Sequence, residues 1–207
     1  MNRREALKGL GLSMGYVIAA PTAIGVLQSC SGKEESWTSV FFTEDEKHVV
    51  KHLVDIILPA TDTPGGLDLN VPQFVDMMCN DTLKESDKEL FHQGSRFFAN
   101  EYQQRVKKDL GKSNKEDVKQ LFSLYFDLDQ AEQDQVKLLQ SRSVENVSGE
   151  DMKNFTIYKF LLMVRSLTLL GYFTSEKIGK EVLSFDPIPG AYKACIPVSE
   201  VGNAWTI

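Results

Sequence analysis

The residue types able to do chemistry are few, and their spacing sets the terms. His48 and His52 lie four apart, so on a helix they share one face at the separation that two metal ligands need, with Asp55 or Glu44 as the nearest further donors. No third ligand is fixed by that spacing, and a solvated stripe or pairing with acids is the simpler use of these histidines. Asp62 and Asp68, with the hydroxyls of Thr61 and Thr63, offer several oxygens to a hard cation. Their order matches no calcium loop, and Thr61-Asp62-Thr63-Pro64-Gly65-Gly66 is a dense set of turn formers, so the expected role is a rigid turn. No nucleophile elbow supports a hydrolytic triad, and no C-x-x-C-H sequence for haem attachment occurs. Catalytic, cofactor-binding and metal-binding residues are therefore expected to be absent from this chain.

The cysteines are Cys30, Cys79 and Cys195. In an oxidising compartment Cys79 and Cys195 could bridge each other, Cys195 could pair with another chain, or the thiols could stay free. Cys195 sits in a segment rich in proline and glycine that points outward from any regular core.

The N-terminal segment indicates such a compartment. Arg3 and Arg4, with Leu7 and Lys8 behind them, precede an uncharged stretch from Gly9 to Leu27 and then Leu27-Gln28-Ser29-Cys30. This is the layout of a secretory signal, here of the twin-arginine kind, which exports proteins already folded. Its end resembles a bacterial lipobox in which Cys30 is acylated and becomes the new N-terminus. The competing reading is an uncleaved anchor, since the stretch is about long enough to span a bilayer; its glycines, Pro21 and hydroxylated residues make it only weakly hydrophobic. A lipidated chain is held on a membrane surface and does not cross it.

Removing residues 1–29 leaves 178 residues, sufficient for one domain with a sizeable core, and shifts the net charge from −6 to −8. An acidic surface argues against nucleic acid as a partner. The expected organisation is a signal over 1–29, a polar tether over 30–40 and a helical domain over 41–207.

Within that domain Thr43 and Glu46 form a capping box ahead of Val49, Val50, Leu53, Ile56 and Ile57 at helical spacing, and Leu58-Pro59 ends the helix. A second helix starts with Asn70 as cap and Pro72 in its first turn, burying Phe74, Val75 and Met78. Ser86 and Glu89 cap a third, with Leu90, Phe97, Phe98 and Val106 on or near its inner face and Gly111 as its stop. Ser113 and Glu116 cap a fourth, through Phe126, and Asp129 opens a short fifth to Gln140. From Glu150 to Leu170 the pattern is the most hydrophobic, so this helix is central; Lys153, Lys159 and Arg165 interrupt it too often for a membrane span. After a short helix over 175–183, Ser184 to Ile207 combines Pro187, Pro189, Gly190 and Pro197 with Phe185, Tyr192, Ile196 and Trp205. The fold class is all-α, a single domain of about six helices with an irregular C-terminal arm that folds against its own helices or a partner.

Three segments resemble one family: Leu58-Pro59-Ala60-Thr61-Asp62-Thr63-Pro64-Gly65, Val71-Pro72-Gln73-Phe74-Val75-Asp76, and Gly171-Tyr172-Phe173-Thr174-Ser175-Glu176 through Pro189-Gly190-Ala191-Tyr192-Lys193-Ala194-Cys195-Ile196-Pro197. They are similar to the gluconate 2-dehydrogenase subunit 3 family, the small subunit of membrane-bound, flavin-dependent sugar and sugar-acid dehydrogenases, over roughly Phe41 to Pro197. The resemblance implies a non-catalytic subunit. FAD is then carried by a large flavoprotein partner, which reaches the periplasm in complex with the small subunit, and a cytochrome c subunit is a further possible partner. The lipobox departs from the pattern and adds an acyl anchor on the periplasmic side of the envelope. Thr61, Asp62, Pro64, Tyr172, Phe173, Pro189, Gly190, Tyr192 and Cys195 become the candidate partner interface. The alternative is an independent periplasmic lipoprotein that binds a ligand or takes a direct part in electron transfer, for instance along Tyr172, Tyr192 or Trp205.

Overall fold

A computed structural model describes residues 37–206 apart from 187, 189, 192 and 193, and leaves the side chain of Glu150 undescribed. The chain divides into two units, Met1–Thr38 and Ser39–Ile207. Arg3 and Arg4, expected to form the export signal, and Cys30, the expected lipidation site, lie outside the described residues.

The second unit is helical, with no strand among the described residues: α1 (Glu44–Ile57), α2 (Val71–Thr82), α3 (Glu85–Val106), α4 (Lys115–Phe126), α5 (Gln130–Gln140), α6 (Glu150–Phe173), α7 (Glu176–Glu181) and α8 (Val198–Val201). Single 3₁₀ turns at Leu110–Lys112 and Val144–Asn146 complete it. Six helices are longer than six residues, as the sequence pattern requires.

α6 is the central element and packs against α1, α2, α3, α5 and α7. Phe155, Ile157, Phe160, Leu161 and Val164 are all buried, so the helix is apolar around most of its circumference. By length and composition it is apolar enough to cross a membrane despite its three cations, but more than half of it is buried inside the bundle, as befits a core helix. α3 lies closest to it. Gly94 allows this approach, because a Cβ there would stand 2.1 Å from the Thr156 carbonyl oxygen. Phe91 and Phe98 then meet Phe160 at ring separations of 4.9 and 5.9 Å. Each such aromatic removed from water contributes about 2–3 kcal/mol.

The helix ends show where local signals are overridden. Thr43 and Glu46 form their capping box, as do Asp129 and Glu132. Asn70 instead adopts a left-handed conformation with φ 54° and makes no side-chain cap. Its backbone carbonyl receives the amides of Gln73 and Phe74. α3 begins at Glu85 with Lys84 before it, so Ser86 falls inside the first turn and caps nothing; the acidic Glu85 and Asp87 complement the helix dipole there. Its buried face runs through Phe91, Gly94, Ser95, Phe98 and Tyr102, with Leu90, Phe97 and Val106 only partly buried. The helix stops early because Lys107 turns left-handed at φ 57°. Gly111 is not the stop: it sits in the following 3₁₀ turn, where a Cβ would come within 2.2 Å of the Asp45 carboxylate. Asn114, not Ser113, caps α4, accepting from the Asp117 amide at 2.8 Å. Ser113 is buried, and its hydroxyl has no hydrogen-bond partner among the described residues.

The helical unit also takes in Ser39 and Val40, which the sequence assigned to the tether. The cause is Asp76 on α2, a carboxylate buried on the same face as Val75 and Cys79. It accepts from the Ser39 hydroxyl at 2.6 Å and from the amides of Val40, Phe42 and Phe41 at 2.9, 2.9 and 3.1 Å.

Candidate functional site

Two of the segments that carry the family resemblance, and the Gly171-Tyr172 start of the third, meet at one corner of the fold. α1 ends where Leu58 leaves helical geometry before Pro59, and the loop then doubles back. The Gly66 amide donates to the Leu58 carbonyl at 2.8 Å, the Thr61 amide to Thr63 at 3.0 Å, and the Val71 amide to Gly66 at 3.0 Å. Asp68 accepts from the Gly65 amide at 2.8 Å. Both glycines are steric necessities here. A Cβ on Gly65 would stand 2.5 Å from the Ala60 nitrogen, and one on Gly66 2.6 Å from the Val54 side chain.

The C-terminal end of α6 supports this loop from beneath. Tyr172 is buried, and its hydroxyl donates to the Pro64 carbonyl at 3.1 Å, with the Thr63 hydroxyl at 3.4 Å. One residue earlier, Gly171 faces the ring of Phe74 on α2, so closely that a Cβ would lie 2.5 Å from it. Thus the loop, the start of α2 and the end of α6 are fitted to one another through Pro64, Phe74, Gly171 and Tyr172.

Thr61 and Asp62 are exposed at the tip of this corner, Pro64 is half-buried, and Phe173 keeps 39% of its surface in water. Tyr172, counted among the interface residues from sequence, shapes the surface from inside and does not present its ring to it. Asp68 holds the turn's backbone at Gly65 and the Thr61 hydroxyl accepts from the Thr63 amide at 3.4 Å, and no group of three metal-ligating side chains occurs among the described residues. His48 directs Nε2 at the Ser113 carbonyl oxygen, 2.9 Å away, and its ring meets His52 edge-on at 4.7 Å. Burial, with His48 beside it, lowers the pKa of His52. The pair thus packs against the loop before α4.

From α7 the chain enters the C-terminal arm, closed at its neck by Ser184. The Ser184 amide donates to Ala204, the Thr206 amide donates back to Ser184, and the Ser184 hydroxyl lies 2.5 Å from the Val201 carbonyl. Asn203 also donates to the Val182 carbonyl at 2.6 Å. The result is a loop carrying Phe185, Ile188, Ile196, Val198 and Trp205 with between 40% and 84% of their surface exposed. The sequence placed Phe185, Ile196 and Trp205 against a partner or their own helices; within this chain each is only partly covered. Gly190 is exposed, and Pro189 and Tyr192 lie outside the described residues.

Cys195 is an exposed free thiol and Cys79 a buried one, not joined to each other. Burial, with Asp76 and Glu46 nearby, pushes the Cys79 thiol up to about 12, so it is neutral and unreactive as a nucleophile.

Two features were given no role from the sequence. Asp76 is the first: hydrogen bonds from Ser39, Val40, Phe42 and Phe41 outweigh its burial and hold its carboxyl below the usual range. An acid lying on the buried face of a helix beside Val75 and Cys79 was the available signal. The second is a groove of about 610 Å³ between α3, α4, α5 and the start of α6, lined by Glu101, Arg105, Leu124, Tyr125, Lys153 and Tyr158 among others. Its charges satisfy one another. Glu101 binds Lys153 at 2.5 Å and Arg105 at 2.8 Å, which, with Lys153 as the leading cause, lowers its pKa, while Arg142 pairs with Asp151 at 3.3 Å.

No curated protein and no solved structure matches the chain. A family model described as Gluconate 2-dehydrogenase subunit 3 matches residues 44–190, a span that takes in the corner, the whole of α6 and the start of the arm. With more than two thirds of its length so matched, the chain belongs to the gluconate 2-dehydrogenase subunit 3 family.

Proposed function

We propose that this chain is the non-catalytic small subunit of a dehydrogenase complex. In this reading it binds a large flavoprotein subunit, accompanies it through the twin-arginine route and holds it at the periplasmic side of the membrane through an acyl group on Cys30. Membership of the family makes it a subunit of a multi-subunit gluconate dehydrogenase, an oxidoreductase. The observation that carries the finer reading is the pairing of a rigid corner with an uncovered apolar arm. A corner braced by Tyr172, Phe74 and Gly171 is a preorganised surface, and exposed anchors such as Trp205 and Phe185 are the side chains that interfaces bury. FAD belongs to the large subunit, and a cytochrome c subunit takes the electrons.

Affinity capture of the full-length chain from its native cell tests this. The expected result is a co-purifying chain that brings flavin absorbance with it, and loss of that chain when the polypeptide is truncated after Leu183 while most helical circular dichroism persists. A truncated chain that retains the large subunit at full strength removes the arm from the interface. Visible absorbance or substrate oxidation by the isolated chain overturns the non-catalytic reading and favours an independent lipoprotein.

A further inference from the structure

The segment that leads into the bundle is fastened at one side chain. Ser39, Val40, Phe41 and Phe42 all donate to Asp76, and the Phe42 amide also donates to the Ser39 hydroxyl at 2.8 Å. Phe41 stacks on His92 at 4.5 Å and meets Phe91 at 5.2 Å. His92 Nδ1 in turn lies 2.9 Å from Glu46, whose other carboxylate oxygen accepts from the Thr43 amide. Up to Thr43 this stretch contains no helix, and the amides of Val40, Phe41 and Phe42 share an acceptor on α2. It is a strap laid on the bundle.

We propose that Asp76 is a positioning residue that seats this strap and so fixes the point at which the N-terminal tether leaves the domain. The inference rests on the anchored reading of Cys30 given above. With the strap seated, nine residue steps separate Cys30 from Ser39, a reach of about 32 Å at full extension. With it released as far as Thr43, thirteen steps give about 45 Å. Asp76 thereby sets how near the membrane the domain is kept, and it lies on the helix whose Phe74 braces the corner. Phe42 also packs into the core, stacked on Phe91 at 5.6 Å, so releasing the strap uncovers these rings, and its separability from the bundle rests on α3 and α6 staying joined through Gly94, Phe98 and Phe160.

The test uses the full-length lipidated chain on vesicles of phosphatidylethanolamine and phosphatidylglycerol, with Cys195→Ser and a donor dye on Met77→Cys, an exposed position on α2. Energy transfer to acceptor-labelled headgroups is compared for this parent, D76N and S39A, together with chymotryptic cleavage after Phe41 and Phe42. Expected for D76N are cleavage about tenfold faster, since the rate follows the open population, less energy transfer, and unchanged helical circular dichroism. S39A shows the same changes to a smaller extent. Unchanged cleavage in both variants overturns the strap, and faster cleavage with unchanged transfer overturns its control of reach. Loss of the bundle in D76N overturns separability, unless S39A opens the strap with the bundle intact. If the parent fails to float with the vesicles, the anchored reading fails and the control of reach with it, while the cleavage comparison still decides the strap.

Discussion

The Tyr172 hydroxyl donates to the Pro64 carbonyl oxygen across 108 residues of sequence, joining the end of the core helix to the turn that follows the first helix. A carbonyl in a turn between Thr63 and Gly65 has no ladder partner to fall back on, so this bond fixes the corner's shape. Tyr172→Phe keeps the ring and removes the donor, at an expected cost of about 0.5–1.5 kcal/mol. Urea denaturation measures the cost. Faster proteolysis within residues 60–66 should accompany it, and a variant as stable as the parent with an equally resistant turn removes the bond from the account.

Gly94 is a stricter requirement. A methyl group there meets backbone, the Thr156 carbonyl, and not a side chain that could swing away. Gly94→Ala must push α3 from α6, which an overpacked core makes cost about 1–3 kcal/mol in spite of alanine's better helix propensity. A lowered thermal midpoint checks this; a raised one means the helices sit farther apart than 2.1 Å implies.

Asp76 gives the protein an acid-sensitive term with a definite sign. Its folded pKa lies below the ordinary carboxylate value, which the unfolded chain restores. The stabilisation is therefore complete above about pH 4–5, near the unfolded pKa of ~3.9, and is lost as pH falls through the lower folded value. Urea midpoints measured from pH 6 to pH 3 should fall more steeply for the parent than for D76N. Parallel curves would show that the carboxylate's charge does not matter.

The two thiols of the helical unit should separate cleanly in reactivity. Cys195 is exposed and Cys79 is buried with its pKa at about 12. Iodoacetamide at pH 8 should therefore modify Cys195 in the folded protein and reach Cys79 only after unfolding, as peptide mass analysis resolves. Early labelling of Cys79 would mean that α2 opens at its Asp76 face.

Periodicity placed the long helices because their apolar residues outnumber every competing signal; α6 was legible from Phe155 to Val164, and the box at Thr43 and the opening residue Asp129 fixed two helix starts within a residue. The misplaced ends have a common physical origin. Ser86, Ser113 and Asn70 are all good caps in isolation, yet tertiary position decided which was used: Ser113 is buried, and Asn70 is left-handed where its amide donates to the Leu67 carbonyl and the next amide, of Val71, to Gly66. The corner was legible as a set of turn formers, but the partnership of Pro64 with Tyr172 and of Phe74 with Gly171 depends on how α2 crosses α6, which no local pattern encodes. Asp76 was hidden for a related reason. Its partners are mainly backbone amides, and amides leave no trace in the residue alphabet.

The neck at Ser184 divides the C-terminal stretch into two regimes of constraint. Ser184, Asn203 and Thr206 are tied together, and Thr206 lies close under Gly179, so the ends of the loop are anchored on α7 whatever lies between them. Lengthening a loop whose ends are already fixed adds only about 0.6 kcal/mol for each doubling. The tip can thus be lengthened or reshaped without disturbing the bundle, so that what it presents to its surroundings is uncoupled from the stability of the helices that carry it.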